Sequence, residues 1–125
     1  MTRRVLLIDD DALIREVAAL SLGKVGGWAV ITASSGSEGF EKAVAERPDA
    51  ILLDVMMPGL DGPGTLKRLQ TDPATAPIPV IYLTAKLRQS DPRPAADQGV
   101  AGMLMKPFDP MLLARQVADL LGWSE

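Results

Sequence analysis

The feature that most limits the folds open to this chain is a fivefold alternation of short, apolar runs with longer stretches of helical spacing. Such runs read as strands covered on both faces, and strands separated by helices form a parallel sheet with crossover helices. Arg4-Val5-Leu6-Leu7-Ile8 is the first strand, and the spacing from Ala12 to Leu20 predicts a helix ending near Gly23 or Gly26-Gly27. Trp28 to Ala33 is the second strand. Ser35-Gly36-Ser37-Glu38 has the form of a capping box, opening a helix with Phe40, Ala43 and Val44 inward and Pro48 just beyond its end. Ala50 to Leu53 is the third strand, and the turn from Pro58 to Gly64 leads to a helix with Leu66 and Leu69 inward. Ile78 to Leu83 and Met103 to Met105 are the fourth and fifth strands. Between them, Asp91-Pro92-Arg93-Pro94 leaves space only for a short helix over Ala95 to Gln98. Asp109-Pro110 supplies an N-cap and an N1 proline for the last helix, with Gly122 as its C-cap. The expected class is α/β, a doubly wound fold, and the 125 residues read as one domain over 1–125 with no repeat or linker.

Composition narrows the chemistry. The chain has no cysteine and no histidine, which excludes disulfides, thiolate or imidazole metal ligands, and Ser-His-Asp catalysis. Any metal must be a hard cation held by oxygen, and any covalent step must fall to Asp, Glu, Lys, Tyr, Ser or Thr. A net charge of −3 with no Lys/Arg cluster provides no footprint for nucleic acid or an anionic membrane, so neither is expected as a direct partner. No apolar run approaches the ~18 residues of a membrane span, and the N-terminus lacks the core of a secretory signal, so a cytoplasmic protein is expected.

Polar residues fall where strands end. Asp9 and Asp10 follow strand one, Asp54 strand three, Thr84 strand four and Lys106 strand five. In an open parallel sheet, ligands bind beyond the carboxyl ends of the strands where strand order reverses, and for the order 2-1-3-4-5 that crevice lies between strands one and three. Crowded carboxylates resist joint ionisation unless a cation joins them, so Mg²⁺ with oxygen ligands is the natural companion of Asp9, Asp10 and Asp54. With no histidine or cysteine available, an aspartate beside Mg²⁺ and Lys106 is a candidate nucleophile for phosphorus, with Thr84 and Lys106 facing the equatorial oxygens. Each residue also has a plain reading: Asp10 and Asp11 as helix caps, Asp54 as a turn residue, Thr84 as a strand former, Lys106 as a loop cation. Their joint placement at four of five strand ends is what those separate readings leave unexplained.

Four motifs carry a family resemblance: Val5-Leu6-Leu7-Ile8-Asp9-Asp10-Asp11, Leu52-Leu53-Asp54-Val55-Met56-Met57-Pro58-Gly59-Leu60-Asp61-Gly62, Tyr82-Leu83-Thr84-Ala85 and Met105-Lys106-Pro107-Phe108. Together they resemble the receiver domain of two-component response regulators, of the chemotaxis-receiver type, over essentially the whole chain. The resemblance implies a flavodoxin-like, three-layer (βα)5 fold with sheet order 2-1-3-4-5. It implies that Asp54 accepts a phosphoryl group from a histidine kinase, a histidine phosphotransfer protein or a small phosphodonor. Mg²⁺, or Mn²⁺ in its place, would be held by Asp10, Asp54 and the Met56 backbone carbonyl, with Asp9 acting through water. Thr84 would turn its hydroxyl to the phosphoryl group, Ala85 would leave room for it, Lys106 would pair with it, and the Lys106-Pro107 peptide would be cis. A downstream protein target would be met through the face of the fourth helix, fifth strand and fifth helix. With no output domain after Glu125, the expected protein is a stand-alone switch rather than a metabolic enzyme, with intrinsic self-phosphorylation and autodephosphorylation chemistry.

Departures from the family pattern lie in the output step. The family's switch aromatic, three residues before the lysine, is here Met103, which can move but cannot hydrogen-bond as tyrosine does. Met56 and Lys86 occupy positions that tune dephosphorylation in the family. Two other functions compete. A phosphorylation-independent pseudo-receiver would keep the fold and drop the chemistry. A haloacid-dehalogenase-like phosphatase would use Asp9 as nucleophile and Asp11 as acid-base, but Leu13 replaces the expected Thr or Val, and no late acidic pair follows a strand.

Overall fold

The computed structural model describes residues 2–84 and 99–123. Five strands, β1 (Arg4–Ile8), β2 (Ala29–Ala33), β3 (Ala50–Asp54), β4 (Val80–Thr84) and β5 (Gly102–Met105), form one sheet in the order β2-β1-β3-β4-β5, every pairing parallel. The order and the α/β class are those expected. Helices α1 (Ala12–Leu20), α2 (Gly36–Glu46), α3 (Gly62–Thr71) and α4 (Leu113–Leu121) pack on the two faces. The expected helix over Ala95 to Gln98 lies outside the described residues, so the C-terminal helix is labelled α4.

The strands are apolar throughout because both sheet faces are covered. Alternation sorts them: Val5, Leu7, Leu52, Ile81 and Leu83 meet α1 and α4 on one face, and Leu6, Ile8, Ile51, Leu53 and Tyr82 meet α2 and α3 on the other. On the first face, Trp28 and Trp123 meet edge to face at 5.1 Å with Arg3 over the Trp123 ring, tying the chain's last described residue to the core.

Strands β2, β3 and β5 depart from expectation by one residue at one end each, and the two larger departures have backbone reasons. Strand four begins at Val80 rather than Ile78, because the Ile78 amide donates to Thr75 O at 2.9 Å in a turn and Pro79 has no amide to give. The last helix begins at Leu113 rather than at Pro110. Asp109 does cap this turn, its Oδ1 accepting from Met111 N at 2.8 Å, but its carbonyl is shared by the Leu112 and Leu113 amides, and Leu112 at φ −109° and ψ −13° flanks the helix as its N-cap. Beyond α1 the chain winds on through Ser21–Val25 in a wider turn, with Gly26 N donating to Ser21 O and the Ser21 hydroxyl to the Pro110 carbonyl.

Caps explain the other ends. Ser35 accepts from Glu38 N at 3.1 Å, as the capping box requires, but Glu38 reaches one residue further back than expected, to the amide and hydroxyl of Ser34. These bonds hold the Glu38 carboxyl down at about 2. Gly122 closes α4 in the left-handed conformation at φ 72°, and Trp123 N returns to Ala118 O. Among the described residues, no helix is long and apolar enough to cross a membrane.

Candidate functional site

The run Asp9-Asp10-Asp11 divides into three roles in the fold. Asp11 caps α1, accepting from Leu13 N at 2.9 Å and Ile14 N at 3.3 Å. Asp9, fully buried just beyond β1, is gripped on four sides: its amide donates to Ala33 O, Oδ1 accepts from Asp11 N, its carbonyl accepts from Arg15 Nη1 at 2.8 Å, and Oδ2 faces Lys106. Asp10 stands exposed between them. The capping reading therefore accounts for Asp11 and leaves Asp9 and Asp10 to be explained.

Asp54 is the last residue of β3 and only 3% exposed. Its Oδ1 accepts from Met56 N at 3.3 Å, while Val55 N pairs with Leu83 O and Gly62 N with Val55 O, so the loop after it is pinned to β4 and to the start of α3. Gly62 is required there: a β-carbon would come within 2.6 Å of Val55 Cα and 2.8 Å of the Asp54 carbonyl. Asp61 caps the same helix through Gly64 N at 2.9 Å.

Lys106 follows β5, and its amide donates to Thr84 O at 2.8 Å, which ties it to the end of β4. The Lys106-Pro107 peptide is cis. Lys106 Nζ lies 2.7 Å from Asp9 Oδ2 and 3.2 Å from Asp54 Oδ1, so it pairs with both carboxylates. Burial, with the Asp9 charge adding to it, raises the Asp54 carboxyl to about 6 even though Lys106 and the Met56 amide pull it down. Burial also works against the Lys106 ammonium, but Asp9 and Asp54 outweigh it and the net shift is upward.

The side chains of Asp9, Asp10 and Asp54 offer carboxylate oxygens that all lie within 4.8 Å of one another. Opposed ligands of an octahedral Mg²⁺ stand about 4.2 Å apart, so a small adjustment or a bridging water would let one ion reach all three. The donor set is wholly hard oxygen, and its three carboxylates are grouped around a single ammonium that pairs with Asp9 and Asp54. Those features fit Mg²⁺ or Mn²⁺.

The structure brings Asp9, Asp10, Asp54 and Lys106 together at the carboxyl edge of the sheet, with Thr84 buried at the end of β4 beside them in the chain order of the sheet. Met56, two residues after Asp54, is 72% exposed. Ala85 and Lys86 lie outside the described residues. Met103 is half-buried on β5 directly opposite Tyr82 of β4, on the α2/α3 face. Tyr82 is buried with a hydroxyl that has no hydrogen-bond partner among the described residues, and burial, with the Asp61 charge behind it, pushes that phenol up to about 12. Three contributors were not singled out from sequence: Arg15, Asp61 and Tyr82. Asp61 had a readable signal, an aspartate directly before Gly-Pro at a helix start; Arg15 and Tyr82 looked like an ordinary surface cation and an ordinary strand residue.

Residues 5–118 match the family model of the response regulator receiver domain. Among curated proteins, the chain is 39% identical over 118 residues to the DNA-binding dual master transcriptional regulator RpaA of Synechocystis sp., covering 94% of this chain and 48% of that protein. It is 36% identical over 125 residues to the alkaline phosphatase synthesis transcriptional regulatory protein PhoP of Bacillus subtilis, covering 100% and 51%. The chain thus spans about half the length of these relatives. Among solved structures, the chemotaxis response regulator CheY4 of Vibrio cholerae superposes with a TM-score of 0.87 at 29% identity, covering 96% of this chain and 99% of that one. A putative response regulator from Chloroflexus aurantiacus superposes at 0.86 with 33% identity, covering 98% and 99%.

Proposed function

The chain belongs to the response regulator receiver domain family of two-component systems, and on that footing we propose that Asp54 is its phosphoacceptor and that phosphorylation switches its binding to a protein partner. The observation that carries this reading is the placement of Asp54: a buried carboxylate at the carboxyl end of a central strand, 3.2 Å from Lys106 and grouped with Asp9 and Asp10.

The donor is a phosphohistidine on a histidine kinase or histidine phosphotransfer protein, or a small acyl phosphate. Asp54 Oδ1 is occupied by the Met56 amide and Lys106, so attack on phosphorus falls to Oδ2. The new P–O bond forms as the P–N bond to the histidine breaks, and the imidazole leaves with its electron pair and takes up a proton; from an acyl phosphate, the P–O bond to the acyl oxygen breaks instead and the carboxylate leaves with the electron pair. A carboxyl raised to about 6 is still largely ionised at neutral pH, so the nucleophile is available. Lys106 pairs with the transferred phosphoryl oxygens, and the Thr84 hydroxyl donates to one of them. Asp10, Asp54 and the Met56 carbonyl would hold Mg²⁺, with Asp9 acting through water; the ion would supply charge neutralisation at the transferring oxygens.

Output follows from charge. A phosphoryl group adds about −1.5 to −2, by analogy with other phosphorylated side chains, and draws Thr84 and Lys106 towards Asp54. Because Lys106 N is bonded to Thr84 O, the ends of β4 and β5 move together. The downstream protein target reads the face that includes β5 and the C-terminal helix; the domain itself acts as a signalling switch and contacts no nucleic acid directly.

Neither rival fares as well. The phosphatase reading needs Asp11 as acid-base, but that carboxylate is committed to two amides of α1. The pseudo-receiver reading leaves the acidic cluster without a purpose. Intact mass after incubation with acetyl phosphate tests the proposal: wild type should gain one phosphoryl group with Mg²⁺ and none with EDTA. An unmodified wild type that binds its partner fully would establish the pseudo-receiver instead.

A further inference from the structure

Asp10 poses a problem of support. Its carboxylate is exposed yet stands with those of Asp9 and Asp54, and among the described residues no hydrogen bond or ion pair holds its side chain. What holds it must be its backbone. The peptide between Asp9 and Asp10 is planar, so fixing the Asp9 carbonyl also fixes the direction in which the chain enters Asp10. Among the described residues that carbonyl is held by one hydrogen bond, the 2.8 Å bond from Arg15 Nη1 on the first turn of α1. It is a charge-assisted bond, and Asp11, which caps α1 at the helix's start, anchors the other side of Asp10.

We propose that Arg15 is a positioning residue for divalent-cation binding: by gripping the Asp9 carbonyl it aims the Asp10 carboxylate at the cation shared with Asp54. The inference rests on the reading of the aspartate cluster as a Mg²⁺ site. Arg15 touches neither the phosphoryl group nor the reacting carboxylate.

The sign of the effect separates this role from simple charge. Arg15 is a cation close to a cation site, so electrostatics alone predicts that removing it would tighten Mg²⁺ binding. Positioning predicts weakening, because a supporting contact one step behind a metal ligand is worth about 10-fold or more in affinity. The test is calorimetric titration of MgCl₂ into wild type, Arg15→Met and Arg15→Lys. Arg15→Met, which keeps volume and loses both charge and donor, is expected to weaken Mg²⁺ binding about 10-fold. The carbonyl carbon resonance of Asp9 should shift in the Mg²⁺-free variant, a signature that a purely structural loss elsewhere would not produce. Arg15→Lys is expected to recover most of the affinity, because the contact uses a single nitrogen and a lysine of similar reach can donate to the same oxygen. An Arg15→Met variant binding Mg²⁺ as tightly as wild type, or tighter, would overturn the proposal, as would an Arg15→Lys variant that loses as much as Arg15→Met. Should Arg15→Met not fold, Arg15→Gln, whose donor ends two atoms short of the arginine's, takes its place with the same expectations. Failure of wild type itself to bind Mg²⁺ would instead remove the cation site on which both readings stand.

Discussion

Lys106 Nζ lies 2.7 Å from Oδ2 of Asp9, nearer than the 3.2 Å that separates it from Oδ1 of Asp54. Asp9 is fully buried and Lys106 largely so, which makes the lysine the resident counter-charge of the cluster in the metal-free protein. Removing one member of a buried pair leaves an uncompensated charge, a loss of about 3–5 kcal/mol. Lys106→Met should therefore lower metal-free stability by an amount of that order at pH 8, and saturating MgCl₂ should restore part of it by supplying the missing positive charge. Urea unfolding with and without Mg²⁺ measures both; an equal loss in the two conditions would separate the lysine from the cation site.

Asp54 should make the metal-free protein less stable as pH rises. Its carboxyl titrates near 6 in the folded chain against an ordinary 3.8, so the folded state holds the proton more tightly than the unfolded state does. Stability from this group is present below pH 4, declines between about pH 4 and 6, and stays low above. The difference amounts to about 3 kcal/mol at 1.36 kcal/mol per pH unit. Asp54→Asn, which mimics the protonated form, should lack the decline and be more stable than wild type at pH 7 by about that amount. Glu38 shifts the other way, its stabilisation lost only as pH falls from 4.5 towards 2, so its window lies below that of Asp54. Paired pH series of denaturant midpoints without Mg²⁺ check the sign.

Asp10 and Asp11 are adjacent in sequence and opposite in expected effect. Asp11→Ala removes the α1 cap and should cost about 1 kcal/mol while leaving most Mg²⁺ affinity. Asp10→Ala removes a carboxylate from a like-charged cluster, so stability should hold or rise while Mg²⁺ binding weakens at least tenfold, about one ligand's worth. Thermal melts paired with Mg²⁺ titrations distinguish the two, and matching phenotypes would contradict the division of the aspartate run.

Tyr82 carries a buried hydroxyl with no partner among the described residues, a desolvation cost of about 1–3 kcal/mol. Tyr82→Phe keeps the ring between the strands and the α2/α3 layer, and should raise the melting temperature by several degrees. An unchanged or lower melting temperature would mean that the hydroxyl is satisfied in solution.

Much of the architecture was legible because its signals are local. Continuous apolar strands such as Ala50 to Leu53 announce a sheet covered on both faces, and Asp9, Asp54 and Lys106 stand at strand ends where the topology brings them together. What escaped reading depends on geometry between elements. No sequence pattern shows that Arg15 reaches the Asp9 carbonyl, that Lys106 lies nearer Asp9 than Asp54, or that the Tyr82 hydroxyl ends in an apolar layer. The late start of α4 escaped for a related reason: the Asp109-Pro110 cap is real, but a shared carbonyl bends the turn that follows it.

If Asp54 is the phosphoacceptor, an acyl phosphate forms on its side chain, and borohydride reduction traps that bond. Reduction of an aspartyl phosphate leaves homoserine, whose position peptide mass mapping reports. Protein treated with acetyl phosphate and MgCl₂ should carry homoserine at position 54 alone, and none when EDTA replaces Mg²⁺. Homoserine at position 9, 10 or 11, or its absence throughout, would mean that Asp54 is not the phosphoacceptor.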